Sequence, residues 1–225
     1  MLDNFNRLVL ANIGMLLDGL GVTLYICFCA FALSIVLGML ACMVRMWVSQ
    51  LRFVAIAYIE FCRATPILVQ LLWVNYVWPD LFGFPETAMQ AGILALALQS
   101  SGYLAETFRA GFEGLPKGQR EAALAVGLSR WRIVTRIEAP QALLVVAPLM
   151  INQLAVVVKS STLVSVISNP DLMYQALKIV NQWYEPIEVL TVVALTYFIV
   201  LFSLSSIANH FYVRFQTKYG LAAGT

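Results

Sequence analysis

Apolar residues run through this chain in long unbroken blocks separated by short polar stretches. A helix that crosses a bilayer needs about 17–25 mainly apolar residues, and five stretches meet that length: 20–44, 53–78, 87–108, 142–158 and 187–209. Glu60, Arg63 and Pro66 interrupt the second, Glu106 interrupts the third, and the fourth runs into Lys159. Ahead of the first, Phe5, Leu8, Val9, Asn12, Ile13 and Leu16 fall at helical spacing with a partly polar face, which predicts a helix lying in the membrane interface before the first span. Asp3, Arg7 and Asp18 stand where a cleavable signal would need a basic start and a small-residue cleavage site, so none is expected. The pattern predicts an all-α, polytopic membrane protein of five transmembrane helices. With no internal repeat or low-complexity stretch, residues 1–225 read as a single transmembrane domain.

The stretches between the spans have their own signals. Residues 110–140 form a polar island. Within it, Glu121 to Val126 are strong helix formers, Gly127 can end a helix in the left-handed conformation, and Ser129 is placed to cap a second helix through Ile137. Pro140 should bar a simple continuation. Between the second and third spans, Pro79, Asp80, Gly83 and Pro85 predict a short turn-rich loop. In 160–186, Ser168-Asn169-Pro170 is a turn signal, and Leu172, Gln175, Ala176, Ile179 and Val180 follow at the spacing of a short helix. Trp78, Trp183, Tyr184 and Tyr212 fall near span ends, where aromatic belts form.

Composition supports the membrane class: 61% of the 225 residues are hydrophobic and 12% are charged, against about 25% charged in soluble domains. The net charge of +2 says less than its distribution. If the amino terminus is outside, the inner segments hold Arg45, Arg52, Arg109, Lys117, Arg120, Arg130, Arg132, Arg136, Arg214 and Lys218, and the outer ones only Arg7 and Lys178. The positive-inside rule then puts the amino terminus outside, and the carboxyl terminus and the polar island in the cytoplasm. Cys27, Cys29, Cys42 and Cys62 all lie in apolar segments without metal-ligand spacing, and small buried residues are expected there. His210, the one histidine, belongs to no metal or proton-relay pattern. No phosphate-binding Gly-x-x-x-x-Gly-Lys-Ser/Thr run occurs; Gly114 to Gly118 lacks the spacing. Neither a catalytic set nor a nucleic-acid motif is evident.

Four runs carry a resemblance. Glu121, Ala122, Ala123, Gly127, Ile137 and Pro140 match the cytoplasmic Glu-Ala-Ala signature of ABC-importer permeases, with Ala139 where that family usually has Leu. Arg63, Thr65, Pro66, Leu68, Gln70 and Leu71 resemble the Arg-x-Thr-Pro-x-x-x-Gln-Leu segment of its polar amino-acid branch. Tyr103, Ala105, Glu106 and Arg109, then Gly118-Gln119, resemble its run from the third span into the coupling region. Lys159, Ser161, Thr162 and Leu163 resemble its Lys-x-Ser/Thr-Ser/Thr-Leu element. These matches cover residues 60–163 in family order.

The resemblance implies a type I ABC-importer permease fold in the bacterial inner membrane. It implies a second permease subunit, identical or homologous, an ABC ATPase dimer below and a soluble substrate-binding protein above. ATP and Mg would sit on the ATPase, with no cofactor on this chain. Glu121, Ala122, Ala123 and Gly127 would form the coupling helix and its turn. Glu60, Arg63, Thr65, Pro66, Gln70, Gln99, Glu106, Lys159, Ser161 and Thr162 are candidates for the substrate path. Bare residue chemistry leaves other roles open: Glu60–Arg63 and Glu106–Arg109 are each three apart and can form structural ion pairs, and Lys159 can snorkel to the interface. Gly92, Ala95, Ala97, Gly102 and Ala105 are small enough to permit close contact between two copies. An ion-gradient-driven secondary transporter is the alternative, though only Arg63–Pro66 looks like a broken helix and nothing mirrors it.

Overall fold

The computed structural model describes the backbone of residues 2–218, with side chains described from residue 11 except at 211 and 214–218. Asp3, Arg7, Arg214 and Lys218 of the charge count, and Phe5, Leu8 and Val9 of the amphipathic stretch, lie outside the described side chains. The helices, in order, are α1 (Leu2–Trp47), α2 (Arg52–Ala64), α3 (Ile67–Tyr76), α4 (Trp78–Phe82), α5 (Ala88–Glu113), α6 (Lys117–Ala125), α7 (Arg130–Ile133), α8 (Ala139–Ser160), α9 (Leu172–Trp183) and α10 (Pro186–Lys218). The expected interfacial helix is not a separate element. No proline stands before the first span, and α1 runs unbroken for 46 residues.

Among the described residues, three helical stretches are long and apolar enough to cross a membrane: Ala11–Trp47, Arg130–Ile167 and Pro186–His210. The second expected span is a broken pair, Ser49–Ala64 and Ile67–Tyr76, bent by 108°. Pro66 cannot donate a backbone hydrogen bond and pushes the residue before it out of the helical region. Thr65 accordingly is extended at φ −77° and ψ 128°.

The third expected span, α5, is more polar than these three, and it is the central helix. It packs against α1, α2, α3 and α8, and twelve of its residues are buried. A helix covered by protein on most sides need not be lipophilic. This corrects the expectation for Gly92, Ala95, Ala97, Gly102 and Ala105. All five are buried within the single chain and serve its own packing rather than contact with a second copy. A Cβ on Gly102 would lie 2.9 Å from Cys62 Cβ and 3.0 Å from the Ile59 carbonyl of α2. Outside, large apolar side chains face away from the bundle, among them Phe28, Phe53, Phe198 and Phe202, each at least 65% exposed. Cys27, Cys42 and Cys62 are buried and Cys29 is half-buried.

A second correction concerns Pro140. The helix does not stop there: α7 passes through a π-helical turn over Val134–Glu138 directly into α8. The Ala139 N–H bonds the Val134 carbonyl five residues back. This wider turn brings Pro140 into the first turn of α8, where its missing N–H is not needed.

At the opposite end of the bundle, α9 forms where the turn signal predicts. Ser168 adopts φ 59° and Asp171 caps α9, accepting from the Tyr174 N–H at 3.0 Å. Thr23 of α1 ties α9 down: its hydroxyl accepts from the Leu172 N–H at 3.0 Å and donates to the Gly19 carbonyl at 3.0 Å. Asp171 is fully buried and its second carboxylate oxygen has no partner. Burial raises its pKa from 3.8 to about 6, against the opposing hydrogen bonds from the Tyr174 and Met173 backbone. The folded state therefore takes up the proton more readily than the unfolded chain. Stability rises as pH falls through about 6 toward 4, and is lost as pH rises through that range. At 1.36 kcal/mol per unit the difference is on the order of 2–3 kcal/mol. The melting temperature of the purified chain should climb between pH 7.5 and 5. Asp171→Asn, which keeps a capping oxygen, should flatten that slope; an unchanged slope would show that another group sets it.

Candidate coupling helix and transport path

The polar island folds as helix, glycine turn, helix. Helix α6 ends where Gly127 turns left-handed at φ 79°. The Leu128 N–H reaches back to the Ala123 carbonyl at 3.1 Å and the Gly127 N–H to the Leu124 carbonyl at 3.0 Å. These are the paired bonds of a glycine-capped helix end. Ser129 occupies the cap position before α7, but its side chain makes no capping bond.

The exposed face of α6 carries Glu121, Ala122, Leu124 and Val126, the last 76% exposed. Of the two expected docking alanines, only Ala122 faces outward; Ala123 is turned inward and buried. The root of the loop is held by two contacts that helical spacing did not reveal. Gln141 of α8 donates to the Gln119 side chain at 2.8 Å, and Arg120 lies 3.7 Å from Glu138. From Glu121 onward the exposed surface of α6 and its cap residue is thus mostly apolar with one carboxylate, while its first turn exposes Lys117, Gln119 and Arg120 on a base clamped to Glu138 and α8.

The path candidates fall into three places. Around the break at Pro66, Glu60 and Arg63 pair at 3.4 Å with both groups partly in the open. Arg63 also lies over the Tyr103 ring at 5.5 Å. Thr65 donates its hydroxyl to the Phe61 carbonyl at 2.8 Å, capping the end of α2. Gln70, one turn past Pro66, is buried, and neither its amide oxygen nor its nitrogen has a hydrogen-bond partner. An unsatisfied buried amide costs about 1–3 kcal/mol, so Gln70 has unused binding capacity here, as does the buried, unpartnered Nε of Arg63. On α5, Gln99 is half-buried. Its neighbours are occupied: Ser100 accepts from Gln153 of α8 at 3.2 Å, and Ser101 lies 2.6 Å from the Tyr58 hydroxyl of α2.

Glu106 lies elsewhere, at the end of the bundle that carries α6. It pairs with Arg109, which donates through Nε at 2.9 Å and Nη2 at 2.7 Å. It is also bonded by Arg45 of α1, and Arg109 reaches on to Glu113. The i,i+3 spacing showed Glu106–Arg109; Arg45, 61 residues away, offered no local signal. Lys159 is exposed at the far end. The hydroxyls beside it turn back on their own chain: Ser161 donates to the Val158 carbonyl at 2.8 Å and Thr162 to the Lys159 carbonyl at 2.9 Å. Among the described residues, no group of three or more His, Cys, Asp or Glu is placed to hold a metal ion.

Comparison with known proteins shows the family and the fold. The arginine transport system permease protein ArtQ of Bacillus subtilis is 32% identical over 201 residues, covering 88% of this chain and 91% of its own. The probable glutamine ABC transporter permease protein GlnM of the same organism is 34% identical, covering 92% and 96%. The glutamine transport system permease protein GlnP of Escherichia coli is 32% identical, covering 87% and 90%. Among solved structures, an amino acid ABC transporter crystallised with histidines superposes with a TM-score of 0.84 at 33% identity, covering 91% of this chain and 96% of that one. The MetNI methionine ABC transporter, at 19% identity and a TM-score of 0.76, shares the fold. The architecture is that of a type I ABC-importer permease. Residues 34–219 match the model of the binding-protein-dependent transport system inner membrane component, and the chain belongs to that family.

Proposed function

We propose that this chain is the permease subunit of an ATP-driven importer that moves a polar amino acid, or a close derivative, across the bacterial inner membrane. The observation that carries the reading is α6: a short helix with an exposed, mostly apolar face, clamped at its root by Gln119–Gln141 and Arg120–Glu138 and aimed by the turn at Gly127. ATP and Mg belong on a separate ATPase pair docked against Glu121, Ala122 and Val126. Closure of that pair moves α6, and because α7 continues through the π-turn into α8, the push enters a membrane helix without a loop to absorb it. The spans then rock as rigid bodies between two open states.

The substrate class rests on the names of the relatives, which transport arginine or glutamine. Within this chain, Gln70 and the open Glu60–Arg63 pair flank the break at Pro66, where a membrane helix can present polar groups to a cavity. A second permease subunit, identical or homologous, completes the path, and a soluble binding protein delivers cargo at the Lys159 end. The charge distribution supports a cytoplasmic α6 and carboxyl terminus, with the amino terminus outside.

Ala122→Cys or Val126→Cys, in a chain stripped of its four native cysteines, should cross-link in native membranes to a nucleotide-hydrolysing protein, with a yield that changes when ATP is added. Absence of such an adduct would sink the docking role. A carboxyl-terminal reporter active only outside the cytoplasm would reverse the orientation.

A further inference from the structure

We propose that the cleft between the ends of α1, α2 and α5 binds the phosphate headgroup of an anionic phospholipid. The cleft has a volume of about 260 Å³ and is lined by Arg45, Met46, Arg52, Arg109 and Glu113. Two of its arginines are already fixed. Arg45 is bonded to Glu106, and Arg109 is shared between Glu106 and Glu113. Three guanidinium groups therefore face two carboxylates, and Arg52 is the group left over: it is exposed and has no acidic partner among the described residues. Guanidinium groups suit phosphate because their N–H groups form a planar fork that matches its oxygens. With Arg45 and Arg109 held by ion pairs, little ordering is left to do when an anion arrives. Glu113 faces the same space and opposes an anion, but its charge is taken up by Arg109.

The surroundings select a lipid over a free anion. Arg52 stands between two exposed apolar residues, Leu51 at 50% and Phe53 at 82%, with Trp47 at 43% and Val54 at 65% beside them. The cleft is large enough for a phosphate and its ester oxygens and too small for acyl chains. A headgroup seated on the arginines would leave its chains along Phe53 and Val54, on the lipid-facing surface. Basic pockets between helices at a membrane face bind anionic headgroups in this way. The site also adjoins the root of α6, because α5 ends at Glu113 and Gly114 leads on to α6, so an occupant would steady the base of that helix.

Native mass spectrometry of the detergent-purified chain, titrated with phosphatidylglycerol and separately with phosphatidylcholine, tests this without regard to which leaflet the site faces. The wild type should prefer phosphatidylglycerol. Arg52→Gln should weaken that preference roughly fivefold, the weight of one arginine at an anionic surface, with unchanged melting temperature because Arg52 holds no partner. Glu113→Gln, which removes the opposing charge, should strengthen it. Arg132→Gln removes the same charge from the same end of the bundle but does not line the cleft, and should leave it as it is. Equal retention by wild type and Arg52→Gln, equal loss in Arg132→Gln, no gain in Glu113→Gln, or displacement by millimolar inorganic phosphate would each overturn the assignment.

Discussion

Gly127→Val is expected to cut ATP-driven uptake at least tenfold while the chain still inserts and assembles. At φ 79° the position lies in the left-handed region, and a Cβ there would meet open space. The cost is therefore one of backbone conformation and not of crowding. A non-glycine residue pays about 1–2 kcal/mol there, and a β-branched one more. Each 1.4 kcal/mol is about tenfold in an equilibrium, so the population with α6 correctly aimed should fall by roughly an order of magnitude. The two capping bonds from Gly127 and Leu128 back to α6 exist only with that turn in place. Uptake and ATP hydrolysis measured together in proteoliposomes should separate: uptake drops at least tenfold while hydrolysis by the ATPase continues. Gly127→Asn, which tolerates the left-handed region, should keep most of the uptake. Full transport by Gly127→Val would mean that the angle of α6 does not carry the stroke.

Features encoded by neighbours in sequence were legible before the structure. Long apolar blocks marked the spans, Pro66 marked the break, Gly127 marked the turn, and the spacing of Glu106 and Arg109 marked an ion pair. Ser168 to Pro170 announced the start of α9. What escaped depends on which helices touch. The pattern marks α5 only as one of five spans, and its small residues point to a second copy, because small residues look alike whether they receive a neighbour from the same chain or from another copy. Arg45 joins Glu106 across 61 residues, and no local period encodes that distance. The continuation through Pro140 was missed for a different reason. Proline rules describe α-helices, and a π-turn just before the proline relaxes the clash they assume. The burial of Ala123, between exposed Ala122 and exposed Leu124, depends on which side of α6 meets the rest of the chain, and the local spacing of two alanines does not encode that. Gln70 was singled out for its spacing from Pro66; that its amide would be buried with no partner could not be read from the sequence.

Gly38→Ile should be the most damaging change to the bundle itself. Gly38 lies where α1 crosses α5, and an added Cβ would come within 2.9 Å of the Ser101 carbonyl, 3.0 Å of Leu104 Cβ and 3.2 Å of the Ala105 nitrogen. Two of those three atoms are backbone in the middle of a buried helix, so no rotamer change relieves the contact. The helices must separate, and the separation acts on both sides of the crossing. Along α5, Ser101 bonds Tyr58 of α2, and further on Glu106 bonds Arg45 of α1; a bundle wedged open at Gly38 strains both links. Overpacking costs of about 1–3 kcal/mol are common in well-packed interiors, and a site with no side chain able to yield belongs at the upper end. For a chain of this size that corresponds to a fall in melting temperature of roughly 5–10 °C, read by thermal unfolding in detergent. Gly21→Ile is the matched comparison. Gly21 is on the same helix, exposed, with nothing within 4 Å of an added Cβ, and its melting temperature should stay near that of the wild type. If both substitutions shifted stability equally, the cost would lie in placing a β-branched residue in α1 and not in the contact with α5. A large loss confined to Gly38 would instead establish the α1–α5 crossing as the fixed axis about which the other helices, and α6 beneath them, are arranged.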